Sequence, residues 1–190
     1  MWREKWWNQV HFRTGLRGKI KAFAERKKIH KNVTFEGAGI PKEMFEWILS
    51  QIPKNSNILE FGAGYTSTKA LSSNFNLYSV EHDPKFLGLY DSNYIHAQID
   101  PEYGWYNAKS LEVVSQISPK LVLIDGPPGT GKRFGILKNL DLIRSAEYIV
   151  VDDTNRPSER LLVELLAEQL GMTCKHFQTW SYLSHTDNFK

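Results

Sequence analysis

Gly126 and Lys132 bracket a spacing that could cradle a phosphate: Gly, four residues, Gly, Lys, in DGPPGTGKR directly after the apolar run LVLI. Such a loop points backbone N–H groups at phosphate oxygens and holds magnesium on the Ser or Thr that follows its lysine. Here Arg133 follows Lys132, and a guanidinium cannot ligate a cation. The acidic run YIVVDD, which could supply a second magnesium ligand, begins at Tyr148 and leaves room for one helix only. The glycines also follow the fourth strand pattern of the chain, whereas a phosphate loop normally follows the first. Nucleotide hydrolysis is therefore not expected. The stretch reads as a flexible loop over a site, with Lys132 and Arg133 offered to an anionic substrate.

A second set of residues carries more chemistry. EFGAGYTS, EHDP, QID, DGPPG and DDTNRP each close an apolar run, so acids and glycines recur at the ends of strands. Gly62 and Gly64 lack side chains that would keep the backbone away from a ligand. Ser67 stands where a dinucleotide fingerprint has its third glycine. Glu81 ends the second run, 17 residues after Gly64, where a carboxylate can accept both hydroxyls of an adenosine ribose. Glu60 adds a negative charge just before the glycines, which would repel a pyrophosphate and suit an ammonium or sulfonium.

These residues need a scaffold, and the pattern supplies one. PKEMFEWILSQI (41–52) has a helical apolar stripe. NILEF, NLYSVEH, NYIHAQI, KLVLID and EYIVVDD read as strands. Thr66–Ser73, Pro84–Tyr90, Ala108–Ile117, Phe134–Arg144 and Ser158–Leu170 read as intervening helices. In the last helix, Leu161, Leu162, Leu165 and Leu166 form one face and Gly171 is the stop signal. MTCKHFQTW and SYLSH read as a closing pair of strands. Strands alternating with helices give an α/β parallel sheet covered on both faces, with ligands bound beyond the carboxyl ends of its strands.

Composition bounds the rest. With 190 residues, 41% apolar and 24% charged, the chain suits one soluble globular domain. It has no apolar run of membrane-spanning length and no secretory h-region, and one cysteine, Cys174, fits a reducing cytosol. The six histidines show no metal-ligand spacing, so a zinc site is not expected. Residues 1–32 hold ten Lys and Arg against Glu4 and Glu25, a net of +8, while the remaining residues sum to −5. This basic arm also carries Trp2, Trp6 and Trp7, and Leu16, Ile20, Phe23 and Ala24 at helical spacing. It marks residues 1–40 off from a domain at 41–190. A helix packed on that domain, a peripheral contact with an anionic membrane and a nucleic-acid contact are three readings of the arm.

ILEFGAGYTSTKAL, YSVEHDP, VLIDGPPG and IVVDDTNRP, in that order, resemble the motifs of class I S-adenosylmethionine-dependent methyltransferases, most of all a bacterial group with LEFGSGxST, SVEHDP, IDGPPG and DDxxRP signatures. The resemblance covers roughly residues 41–170. It implies a Rossmann-like, doubly wound, mostly parallel sheet of seven strands. It also implies S-adenosylmethionine held by Glu60, Gly62, Gly64, Thr66 and Ser67 at its methionine part and by Glu81 at the ribose. His82 and Asp100 would flank the adenosine, and Asp125 would lie near the methyl group. Asp125, Asp152 and Asp153 are candidate bases, with Arg156 beside Asp153. In metal-dependent O-methyltransferases acids at these strand ends hold magnesium, usually with Asp-Asn after the fifth strand. Asp152-Asp153 departs from that pattern and leaves a divalent metal an open question. Asp125, Asp152 and Asp153 beside Lys132, Arg133 and Arg156 on the same rim make O-methylation of a small anionic or sugar-like metabolite the expected activity. An RNA acceptor tracked by the arm, aminopropyl transfer and a non-catalytic copy are the alternatives. The oligomeric state is not legible from the sequence.

Overall fold

A computed structural model describes Phe35 and residues 39–185. The basic arm, with the helical spacing expected at Leu16–Ala24, lies outside the described residues. Seven strands form one sheet: β1 (Asn57–Phe61), β2 (Asn76–Glu81), β3 (Asn93–His96), β4 (Leu121–Ile124), β5 (Tyr148–Val151), β6 (Thr173–His176) and β7 (Ser181–Ser184). Their order is β3-β2-β1-β4-β5-β7-β6, and β7 alone runs against its neighbours. The doubly wound, mostly parallel α/β sheet read from the sequence is the observed one.

Alternation along each strand divides the core into two layers. Ile58, Leu121, Leu123, Tyr148 and Val150 meet Met44, Ile48 and Ile52 from helix α1 (Lys42–Gln51) and the turn that ends it. Leu59, Phe61, Val122, Ile124, Ile149 and Val151 meet the opposite layer, where α4 (Pro157–Leu170) contributes Leu162, Val163 and Leu166. Burying an aliphatic side chain of this size stabilises by about 1.5–3 kcal/mol, so these stripes hold the helices on. The face of α4 differs from expectation. Leu161 is 52% exposed and Glu159 is buried in the stripe instead. Gly171 ends α4 in the left-handed conformation, as its type suggested.

The remaining connections are shorter and tighter than the apolar spacing implies. Ser67–Ser72 is a short helix, α2, and Ala108–Leu111 is one turn, α3, continuing as a 3-10 helix to Gln116. Pro84–Phe86, Lys132–Lys138 and Leu140–Leu142 are 3-10 turns. In the longest of these turns Gly135 packs on Trp105, so close that a Cβ would meet the Trp105 Cβ at 2.2 Å and its indole at 2.3 Å. That demand for glycine sits in the middle of a segment the periodicity reads as an ordinary helix.

Candidate functional site

The carboxyl ends of β1, β2, β4 and β5 lie side by side, and their acids divide into two groups. In the first, Glu60 is fully buried on the α1 side of the sheet, in register with Ser79 across β1 and β2. Its Oε2 accepts from Ser79 Oγ at 2.6 Å and from Thr68 Oγ1 at 2.8 Å. Thr68 in turn accepts the Gly64 N–H at 2.9 Å. Glu60 thus shapes the glycine loop through Thr68. Its Oε1 has no hydrogen-bond partner among the described residues. Burial pushes the Glu60 carboxyl up to about 7, against the pull of the Ser67, Ser79 and Thr68 hydroxyls. Ser67 Oγ acts here by proximity, without a well-formed bond of its own.

Glu81 is also buried, and backbone amides satisfy it. Oε2 accepts from Ala63 N–H at 2.9 Å, and Oε1 accepts from His82 and Asp83 N–H at 2.7 and 2.6 Å. One carboxylate therefore fastens the glycine loop to the end of β2 and keeps part of its acceptor capacity. The two glycines have different tasks. A Cβ on Gly62 would meet the Gly126 backbone at 2.6 Å, and the residue has φ +95°, so its glycine lets the β1 loop dock on the β4 loop. At Gly64 a Cβ would meet only Ser67 Oγ at 3.4 Å, so this is the glycine with open space beside it. Thr66 is buried, with its side chain against Gly39.

In the second group Asp125, Asp152 and Asp153 bring carboxylate oxygens within 4.8 Å of one another. Arg133, 3% exposed, is inserted among them. Its Nη1 donates to the Asp152 carbonyl at 2.8 Å. Its Nη2 donates to the Asp125 carbonyl at 2.6 Å and to Asp153 Oδ2 at 2.9 Å, and lies 3.4 Å from Asp125 Oδ1. Arg156, half exposed, adds a second pair to Asp153 Oδ2 at 2.9 Å. Burial raises the Asp125 carboxyl well above the usual range, the Asp152 charge adds to the rise, and Arg133 opposes it. Burial likewise raises Asp152 to about 6.

Arg133 is thus a correction to the sequence reading. It is not offered to an anionic substrate; it clamps the ends of β4 and β5. Three acids at this spacing would suit a divalent cation by type, but the Arg133 guanidinium is already inserted against two of them and Arg156 loads Asp153 further. The set as it stands does not fit a divalent metal. Lys132 remains exposed and folds its chain across Gly104 and Gly129. The same loop excludes a phosphate cradle on further grounds. Pro127 and Pro128 have no N–H to offer, and Gly126 is packed between Gly62 and Tyr106.

Asp100 spends Oδ1 on the N–H groups of Glu102 and Tyr103, holding a turn at the end of the short hairpin in which Ile99 bridges Tyr106. That hairpin delivers a residue the motif reading passed over. Tyr106 is 2% exposed, its hydroxyl has no partner among the described residues, and burial together with Glu81, Asp125 and Glu60 raises its pKa well above normal. It stands between the two groups of acids, with its ring 6.4 Å from that of His82. A Trp-Tyr pair inside the otherwise polar loop DPEYGWYN was the available signal. Thr68 and Ser79 were also missed. Ser79 was legible as a polar residue in an apolar strand, but pairing it with Glu60 requires the register.

No protein-family model matches the chain, and no curated protein sequence does. Solved structures do. A TehB-like SAM-dependent methyltransferase from Corynebacterium glutamicum matches with a TM-score of 0.51 at 11% identity, over 90% of this chain and 97% of that one. The magnesium protoporphyrin IX methyltransferase of Synechocystis with bound SAM matches at 0.50 and 7%, over 95% and 89%. The precorrin 8W decarboxylase of Methanobacterium thermoautotrophicum matches at 0.51 and 14%, over 80% and 94%. The chain has the fold of the class I SAM-dependent methyltransferases. Identities this low establish the fold alone, and the decarboxylase among the matches shows why the chemistry must be argued from the site.

Proposed function

We propose that this protein binds S-adenosylmethionine at the ends of β1 and β2 and transfers its methyl group to a hydroxyl of a small anionic or sugar-like metabolite. The observation that carries the reading is Glu60: a fully buried carboxyl raised to about 7, with one oxygen unpartnered and no cation paired with it among the described residues. Its residual negative potential lies behind Gly64, which unlike Gly62 has space beside it. An adenosyl ligand with an ammonium and a sulfonium and no phosphate matches that potential. Glu81 holds the loop and offers its remaining acceptor capacity to ribose hydroxyls, beside His82 and the Tyr106 hydroxyl.

Bound there, the cofactor would supply an electrophilic methyl group to the acceptor oxygen, with S-adenosylhomocysteine as the leaving group. The protein positions the acceptor and takes its proton. Asp125 and Asp152, both raised by burial, are the carboxyl groups at these strand ends that would take that proton, and Arg133 holds them in place. Lys132 is the exposed cation for an anionic acceptor. RNA is the second reading, favoured by the +8 charge of residues 1–32. Deleting residues 1–32 separates the two. A metabolite methyltransferase keeps its turnover, while an RNA enzyme loses affinity and its steep salt dependence.

Calorimetric titration tests the cofactor assignment. Glu81→Ala is expected to weaken S-adenosylmethionine binding by about 1.5–3 kcal/mol, with Glu81→Gln losing less because an acceptor oxygen remains. Unchanged affinity in both variants refutes the placement.

A further inference from the structure

A cluster away from the acids just described brings together three side chains with metal-binding chemistry. Cys174 and His176 sit two residues apart on the edge strand β6, so they project from the same side of it. Glu164 reaches them from α4. Their ligand atoms converge: His176 Nε2 lies 3.0 Å from Glu164 Oε1 and 3.4 Å from Cys174 Sγ, and Cys174 Sγ lies 3.9 Å from Glu164 Oε2. Tetrahedral zinc, with bonds of about 2.3 Å to sulfur and about 2.0–2.2 Å to nitrogen and oxygen, spaces its ligand atoms roughly 3.3–3.7 Å apart. The observed separations straddle that range.

The histidine is also braced as a ligand should be. Its Nδ1 meets Ser181 Oγ at 2.8 Å, and Ser181, fully buried, is 2.8 Å from Thr154 Oγ1. Fixing Nδ1 on a buried hydroxyl turns Nε2 toward the thiol and the carboxylate, the orienting role that outer partners play for metal-bound histidines. Spacing along the sequence hides this set, because a strand pair i, i+2 and a residue on the preceding helix match no metal motif.

We propose that Glu164, Cys174 and His176 form a binding site for a soft divalent cation of the zinc class, with the fourth position open to solvent beside the half-exposed Glu164. Binding releases the thiol proton, and the metal fastens α4 to the edge strand of the sheet. Cobalt(II) is the probe, titrated into the full-length, chelator-stripped protein and then displaced by zinc(II). The expected result is one equivalent bound with a thiolate-to-metal absorption band and a rise in melting temperature. Cys174→Ser should abolish the band, and His176→Ala or Glu164→Gln should weaken binding at least about tenfold. Glu164→Gln lies at the surface and serves as the variant that keeps the fold. Absence of saturable binding overturns the proposal. So does a cobalt complex without the thiolate band, or equal affinity in wild type and all three variants.

Discussion

The two halves of the acidic rim solve one electrostatic problem in opposite ways. At β1 and β2 the carboxylates of Glu60 and Glu81 are met, among the described residues, by hydroxyls and backbone amides, with the His82 ring 2.8 Å from Glu81. At β4 and β5 the acids surround a buried guanidinium. Dipoles leave a net negative potential in place, whereas Arg133 cancels much of it. On the proposed reading, the cationic ligand belongs to the first half, and the second half is left to the acceptor and its proton. It also explains why an acidic cluster of metal-like geometry need not hold a metal: the protein already supplies the cation.

The largest expected effect breaks the second half. Arg133→Ala strands Asp125, Asp153 and two carbonyls in a largely buried setting, and removing one member of such a pair typically costs about 3–5 kcal/mol. Urea unfolding at neutral pH measures it, and a loss below about 1 kcal/mol would show that the clamp is unimportant. The companion measurement is chelation, which should leave cofactor affinity unchanged if Arg133 stands in for a metal among these acids.

Glu60→Gln probes the first half by a different route. The Glu60 carboxyl is raised from its ordinary 4.5 to about 7, so the folded protein holds this proton where the unfolded chain has released it. Stability from that proton is fully present below the ordinary value and is lost as pH rises through about 7. That rise corresponds to about 3 kcal/mol. Asp152, raised to about 6, adds a loss of the same sign at lower pH. The Glu60→Gln protein should therefore be the more stable one at mildly alkaline pH in the absence of ligand, and its melting temperature should fall less steeply between acid and neutral pH. Identical pH profiles for variant and wild type would count against the raised pKa.

How far the sequence carries this account follows from what each residue depends on. Strand ends are readable because apolar runs stop where acids and glycines begin, which placed Glu60, Glu81, Asp125, Asp152 and Asp153 on one rim. The closing strands and the α/β class followed from the same alternation. Arg133 was not readable in this way. Beside Lys132 in a glycine-rich loop it looks like a surface cation, and its burial depends on the Asp152 carbonyl and the Asp153 carboxylate, some twenty positions away and brought alongside by the pairing of β4 and β5. Gly62, expected at the ligand, is also a docking point for Gly126, which the sequence could not show because it is a relation between two strands. Tyr106 depends on a hairpin closed by one isolated bridge, which has no periodicity to detect.

The central claim, that an unpaired negative charge at Glu60 receives a cationic cofactor, is tested most directly by titrating S-adenosylmethionine into the wild-type protein at about pH 6 and about pH 8. If the ligand favours ionised Glu60, affinity should rise about tenfold between the two, and Glu60→Gln should flatten the dependence. Binding that is absent, or equally tight at both pH values in the wild type, would contradict the account.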